Sequence, residues 1–397
     1  MSFYTVILSE RRFCMPTTKA KNLVYRLMLP FAPTCGKHPV ISSAGSQTVM
    51  QMDSFRKIIR KNHVLGSSTF VSSGNRNVHI LTKSDNPKHV PENQTIYRVA
   101  SITKIATALV ILTLREKNLL DIDLPVINYL PFADIRESFE KVTLRHLLSH
   151  TSGIHDPEGL ESMLTQQISG RLILRDIRMD SPGESFCYSN LGYGLVGAVA
   201  ESVCNLNIQE IYRRYLFDPL GMNASLHPVT LDTDIILPVV RILPYHPGCE
   251  TTITPLGRLP LDEPDPEKHL GYSAGSLYTD LPSLYRLISC LINDGKPILR
   301  HGISDMLKQH AVYGKISPDL SYGLGLLFIH DPYLSDHRII GHQGFAYGCV
   351  DGAFWEEGTG NILISLNGGA SELRKGRLGK LNRDLLHWAF REEVPLW

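Results

Sequence analysis

Long apolar runs are missing from this chain. No stretch of about 18 uninterrupted apolar residues occurs, which argues against a membrane-spanning helix. An excess of charge is missing too: 40 Lys and Arg face 39 Asp and Glu, for a net charge of +1. No basic stripe is interleaved with aromatics, so the electrostatic footprint of a nucleic-acid binder is absent. No C-x-x-C pair occurs. The seven cysteines (Cys14, Cys35, Cys187, Cys204, Cys249, Cys290 and Cys349) are odd in number and scattered. That pattern argues against a zinc ribbon or a redox dithiol and fits free thiols in a reducing compartment. There is no H-E-x-x-H run, so His146, His150 and His155 make a weak case for zinc. No metal or cofactor is expected.

What is present is ordinary globular composition: 397 residues, 43% hydrophobic and 20% charged. That length supports a large core and one or two domains. Residues 1–48 read as a flexible or mis-assigned extension, with Met50 or Met52 as an alternative start. Their short apolar stretch, Leu27 to Ala32, is interrupted by Pro30 and follows Arg26, so it makes a poor signal peptide. A cytoplasmic location is the expectation, with export left open. Folded structure is expected from Asp53 to the C-terminus.

Ser54 to Asn62 reads as an amphipathic helix, with Phe55, Ile58 and Ile59 on one face. Ser68 to Ser72 and Asn77 to Thr82 read as strands split by the turn Ser73-Gly74-Asn75. Thr95 to Val99 is a further strand. From about residue 119 to 254 the texture is that of short helices, among them Val142 to His150 and Asn190 to Cys204. Tyr245 to Glu267 is rich in Pro and Gly and reads as loop, and Thr279 to Asn293 as helix. Leu324 to Ile329, Arg338 to Gly341, Gly348 to Trp355 and Asn361 to Leu366 read as strands, and Arg374 to Glu392 as a closing helix. This order implies an α+β sandwich whose sheet draws strands from both ends of the chain.

Three pieces of sequence carry chemistry. Ser101-Ile102-Thr103-Lys104 opens an apolar helical run that continues to Leu120. Positions i and i+3 share a helix face, so Lys104 can reach the Ser101 hydroxyl. The helix start favours a developing oxyanion, and a desolvated lysine can activate a serine. A second S-x-x-K, Ser54 to Lys57, reads as solvated helix surface behind an Asp53 cap. Tyr188-Ser189-Asn190 precedes a glycine-rich helix; a tyrosine near a lysine can exchange protons, and the asparagine amide can hold a substrate carbonyl. His342-Gln343-Gly344 follows a strand, and its glycine permits close approach of backbone to a ligand. His246-Pro247-Gly248 and His269-Leu270-Gly271 also match H-x-G, but only His342 sits between two predicted strands.

In this order the three motifs resemble those of the serine β-lactamase and D,D-peptidase superfamily, in its class C-like branch, from about residue 53 onward. Arg98-Val99-Ala100-Ser101, Leu147-Leu148-Ser149-His150-Thr151-Ser152-Gly153 and Leu216-Phe217-Asp218-Pro219-Leu220-Gly221-Met222 agree with it. The resemblance implies a β-lactamase/transpeptidase-like fold: an antiparallel sheet flanked by N- and C-terminal helices, with an inserted, mostly helical subdomain. It implies that Ser101 is acylated, that Lys104 and Tyr188 take and return its proton, and that Asn190 steadies the substrate amide. It places His342 and Gly344 at the substrate, and the backbone N–H groups of Ser101 and Phe345 in an oxyanion hole. The departure is histidine where many members carry lysine. A histidine is mostly neutral at pH 7, which weakens the case for β-lactams and for carboxylate-ended substrates.

The expected activity is a serine hydrolase acting on a small-molecule or peptide amide or ester, as a peptidase of D-amino-acid or carboxypeptidase type or as a carboxylesterase. The alternatives are a β-lactamase and an inactive binding or scaffold protein with this fold. Gly271-Tyr272-Ser273-Ala274-Gly275 fits G-x-S-x-G but lacks the preceding strand that a nucleophile elbow needs, so it reads as a loop lining the cleft. Asn93-Gln94-Thr95 and Asn223-Ala224-Ser225 are glycosylation tripeptides of the kind that arise by chance.

Overall fold

Nine strands form one antiparallel sheet in the computed structural model, which describes residues 40–44, 49–74, 76–83, 90–133, 137–240, 250–314, 317–346 and 348–391. In chain order they are β1 (Val40–Ala44), β2 (Ser67–Ser73), β3 (Arg76–Lys83), β4 (Ala311–Val312), β5 (Leu320–Tyr322), β6 (Leu327–Ile329), β7 (Ile339–Ala346), β8 (Cys349–Glu356) and β9 (Ile362–Asn367). Their spatial order is β1-β3-β2-β9-β8-β7-β6-β5-β4. N-terminal and C-terminal strands therefore meet at β2–β9, where Thr69 faces Ser365. The remaining H-x-G match, His246 to Gly248, lies outside the described residues.

Alternation along the strands decides what each face packs against. On β8, Phe354 joins one core and its neighbours Ala353 and Trp355 join the other. The Phe354 face is covered by helices α1 (Val49–Lys61) and α5 (Lys380–Phe390). There Phe55 and Ile59 of α1 meet Leu385 and Trp388 of α5, with the Phe55 and Trp388 rings 5.1 Å apart. The opposite face carries α4 (Leu281–Ile292), whose Tyr285 ring sits edge-on to Phe70 of β2 at 4.9 Å. The short helices of residues 119–254 lie beyond it around α2 (Thr103–Glu116), whose residues Thr103 to Leu114 are all buried. A helix apolar on every side belongs in a core, and α2 holds Lys104 there. Asn118, at φ +56°, accompanies its end.

Three expectations are corrected. Residues 40–44, read as part of an extension, pair with β3 from Val40–Lys83 to Ala44–His79. The closing helix begins at Lys380, because Arg374–Lys375 and Leu378–Gly379 form a small hairpin turned at Gly376 (φ +62°). The strand read as ending at Gly341 runs on through His342 and Gly344 to Ala346 as β7. Glycine at 341 and 344 lets neighbouring backbone come close: a Cβ at Gly341 would sit 2.0 Å from the Ala353 carbonyl oxygen.

Candidate active site

Ser101 sits in a 3₁₀ turn, Ala100–Ile102, that runs directly into α2. Ala100 holds φ +44°, a left-handed backbone that costs on the order of 1–3 kcal/mol for a non-glycine residue. The surroundings hold it in place. Thr103 Oγ1 donates to the Ala100 carbonyl at 2.6 Å, Val99 N–H donates to the Leu277 carbonyl at 3.0 Å, and Leu277 N–H donates to Thr103 Oγ1 at 3.1 Å. The turn is pinned from both sides, and the Ser101 side chain stands partly exposed at the helix start.

Lys104 is fully buried one turn below. Its Nζ lies 3.3 Å from Ser101 Oγ, 2.9 Å from Asn190 Oδ1 and 2.8 Å from the Ala274 carbonyl oxygen. Two of these partners can only accept. An amine directs its two N–H bonds to them and leaves its lone pair toward Ser101; an ammonium donates to all three. Tyr188 donates its hydroxyl to Ser101 Oγ at 3.0 Å, and its ring centroid lies 4.9 Å from Lys104 Nζ. The sequence expectation thus brings Ser101, Lys104, Tyr188 and Asn190 to one point, although Asn190 spends its carbonyl oxygen on Lys104.

Tyr188 and Asn190 are held by residues that the sequence did not single out for this role. Asn190 begins α3 (Asn190–Cys204), and Ser189 caps it by accepting from Gly192 N–H. Asp156 then takes the Ser189 hydroxyl at 2.7 Å, Asn190 N–H at 2.8 Å and Leu191 N–H at 3.0 Å. A carboxylate suits a helix N-terminus. His150 grips the other end of the segment. Its carbonyl accepts Cys187 N–H at 2.7 Å, its Nδ1 accepts Ser189 N–H at 3.1 Å, and its ring lies 4.2 Å from that of Tyr188. Burial first, then the charge of Lys104, push its pKa well below the usual histidine value. It is a neutral imidazole with its proton on Nε2.

His342 comes from β7 and is 3% exposed. Its Nδ1 is 2.7 Å from the Gln343 carbonyl oxygen and its Nε2 is 2.8 Å from the Tyr322 hydroxyl. A carbonyl only accepts, so the proton is on Nδ1 and Tyr322 donates to Nε2. Burial, then the Lys104 charge, pull the pKa down to about 3. Both ring nitrogens are engaged within the protein, and His342 supplies neither a cation nor a free donor to a ligand. Gly344 has a different task. A Cβ there would stand 2.3 Å from the Val99 carbonyl oxygen, so only glycine lets β7 lie against the backbone that leads into Ser101. Strand β6 pairs with β7 only at Ile339 to Gly341; beyond that point, through Phe345, the edge has no strand neighbour among the described residues.

The remaining sequence candidates separate from this point. Ser273 is fully buried and donates to the Tyr193 carbonyl at 2.7 Å, while the carbonyl of its neighbour Ala274 meets Lys104. The three histidines go to different partners: His146 Nδ1 to Thr143 N–H, His150 to Ser189, and His155 Nε2 to Asp180 at 2.7 Å. Among the described residues no group of three or more His, Cys, Asp or Glu could hold a metal ion, and no helix is long and apolar enough to cross a membrane.

Residues 52–360 match the family model described as Beta-lactamase. The chain belongs to this family. Its superfamily, the serine β-lactamases and transpeptidases, is one of serine hydrolases with an α+β fold. Penicillin-binding protein 4* of Bacillus subtilis (strain 168) is 30% identical over 143 residues, covering 34% of this chain and 31% of that protein. The chain thus spans about a third of the length of the curated relatives it matches. Among solved structures, a D-stereospecific amidohydrolase from Streptomyces sp. superimposes with a TM-score of 0.65 at 20% identity, covering 86% of this chain and 98% of that one. A class C beta lactamase from Rhodobacter sphaeroides gives 0.66 at 16%, covering 86% and 98%. At these identities the superpositions show the fold alone.

Proposed function

We propose that this family member cleaves an amide or ester through an acyl-enzyme on Ser101, as a peptidase of D-amino-acid or carboxypeptidase type or as a carboxylesterase. The observation that carries the reading is the placement of two proton-exchanging groups on one serine oxygen, Lys104 at 3.3 Å and Tyr188 at 3.0 Å, at the start of a helix. Lys104 first gives a proton to water, and Ser101 Oγ then attacks the carbonyl carbon while the freed Lys104 amine takes the Ser101 proton. The oxyanion faces the N–H groups of Ser101 and Phe345, with the α2 N-terminus behind it. The C–N or C–O bond then breaks. Tyr188 gives its proton to the departing nitrogen or oxygen, and Lys104 restores it. Water attacks the Ser101 ester and loses a proton to the same pair, the acyl C–Oγ bond breaks as the pair returns that proton to Ser101 Oγ, and the carboxylic acid leaves. Asn190 holds Lys104 in line, and His342 braces Tyr322 and the strand beneath. A D-stereospecific amidohydrolase among the structural neighbours is compatible with this reading.

Intact-mass spectrometry of wild type and Ser101→Ala, each incubated with a p-nitrophenyl ester, a D-amino-acid amide and penicillin, tests it. The expected result is an acyl adduct or turnover in wild type only. Turnover retained by Ser101→Ala, or neither adduct nor turnover in wild type with any probe, would refute it. A rapidly turned-over penicillin would instead favour a β-lactamase.

A further inference from the structure

The segment that brings Tyr188 to Ser101 carries a second set of reactive groups. Phe186 and Tyr188 both lie against the His150 ring, at 5.7 and 4.2 Å. Cys187, between them, meets other partners: its Sγ is 3.3 Å from the Ile154 carbonyl oxygen and 3.6 Å from Nδ1 of His155. Backbone pairing sets His155 in place. Its N–H donates to the Arg178 carbonyl at 3.0 Å and Asp180 N–H donates to the Gly153 carbonyl at 2.9 Å, around a bridge between Ile154 and Met179. Only glycine fits at 153 (φ +75°), since a Cβ there would stand 2.1 Å from the Asp180 carbonyl oxygen. This pairing brings the Asp180 carboxylate to 2.7 Å from His155 Nε2, and that bond holds the Asp180 carboxyl below its ordinary range. A carboxylate only accepts, so Nε2 of the neutral ring carries the proton and Nδ1 turns its lone pair to the thiol.

A nucleophile, a base and a carboxylate that orients the base, each in hydrogen-bond reach of the next, are the parts of an activated thiol. None of the three takes part in the proposed hydrolysis. All are reachable: the side chains of His155 and Asp180 keep 31% and 40% of their surface exposed, and Cys187 is partly exposed. Cys290 and Cys349 are buried, and Cys204, also partly exposed, has no histidine partner among the described residues. Burial first, then the charges of Asp180 and Asp156, push the Cys187 thiol up, with Arg178 acting the other way. The proton thus rests on sulfur until His155 takes it. The cluster also stands behind the support of Tyr188. Sγ touches the Ile154 carbonyl, and Asp156, two residues on, holds Ser189 and Asn190. A group added to Sγ has to come between these two stretches.

We propose that Cys187 is a modification site for low-molecular-weight disulfides, with His155 as its base and Asp180 behind the base, and that the resulting mixed disulfide silences Ser101 by drawing Tyr188 out of line. His155 Nδ1 takes the Sγ proton, and Sγ attacks one sulfur of the disulfide. The new Sγ–S bond forms as the old S–S bond breaks, and the departing thiolate takes the proton from His155. One thiol and one disulfide become one mixed disulfide and one thiol. The site stands on its own geometry; only its effect on turnover rests on the acyl-enzyme reading.

Incubation with oxidised glutathione tests the inference in wild type, Cys187→Ser, His155→Gln and Asp180→Asn, each cysteine being followed separately by peptide mass spectrometry. Cys187 should gain a glutathionyl group ahead of Cys204, Cys290 and Cys349. His155→Gln should slow that gain on the order of 100-fold, and Asp180→Asn by a smaller factor. Melting curves check that each variant is folded. The adduct should lower both the turnover and the melting temperature of wild type, and dithiothreitol should restore them. Cys187→Ser should keep both in the presence of the reagent. Cys187 left unmodified while Cys204 reacts, an unchanged rate in folded His155→Gln, or a modified wild type with full turnover and unchanged melting would each overturn the inference. A wild type that turns over no probe, yet gains the adduct on Cys187 and melts earlier, would instead sink the hydrolase reading and leave the modification site standing.

Discussion

Replacing His342 by glutamine should flatten the acid side of the protein's stability profile. In the folded chain His342 binds a proton only near pH 3, against an ordinary value of 6.5, because it is buried and faces the Lys104 charge. Between those values the unfolded chain holds the extra proton and the folded chain does not. Acid therefore favours unfolding, and the stability contribution of neutral His342 is fully present above pH 6.5 and lost as pH falls toward 3. From pH 7 to pH 5 the loss is about 2 kcal/mol, being about 1.5 pH units at 1.36 kcal/mol each. Other groups titrate in the same window. His150 adds a loss of the same sign, and the buried Asp351, whose pKa is raised chiefly by burial, adds the opposite one. Both persist in the variant, so the difference between proteins isolates residue 342. Glutamine can still accept from the Tyr322 hydroxyl. Urea unfolding at pH 7 and pH 5, with wild type and His342→Gln side by side, should show the wild type losing about 2 kcal/mol more than the variant. Equal losses would mean that His342 is protonated in the folded state, and the account of a site without a cation on β7 would fail with it.

Two further substitutions test the supports of the site. Gly344→Ala places a Cβ 2.3 Å from the Val99 carbonyl oxygen and 3.3 Å from Asp351 Cβ. Because the nearer obstacle is backbone, it should cost about 1–3 kcal/mol of stability and, by moving the turn that carries Ser101, on the order of 100-fold in kcat; a fully active, equally stable variant would refute the close packing of β7 on that turn. Asp156→Ala removes the acceptor for the Ser189 hydroxyl and for Asn190 and Leu191 N–H. It should lower stability by about 1–2 kcal/mol, with kcat falling more than KM rises, as read from thermal melts and steady-state rates on whichever probe the wild type turns over. An unchanged kcat would separate the cap from the chemistry.

Local signals in the sequence located the elements whose ends are marked by local chemistry. Helix α3 runs from Asn190 to Cys204 as read, because a serine cap precedes it and an asparagine in the left-handed region follows. Strands β8 and β9 were legible from their apolar runs. Where an element begins or ends near a glycine, the bounds were misread. The strand read as ending at Gly341 runs on past Gly344 to Ala346, where strands crowd, while Gly376 is a turn in what looked like helix. The motif residues were legible because their spacing is local, i to i+3 in Ser101 to Lys104. Their supports were not, since Asp156 caps a helix that starts 34 residues later.

Gln343 shows what stands beside the histidine at 342 in the folded chain. Read alone, histidine in place of lysine removes a charge from the substrate's path. In the folded chain the same strand residue that follows it binds a turn carrying three positive charges, Arg374, Lys375 and Arg377. A lysine at 342 would meet the same burial and the same Lys104 charge that hold His342 neutral, so His342→Lys should lower thermal stability rather than supply a cation to a substrate, and a melting temperature equal to that of wild type would refute this.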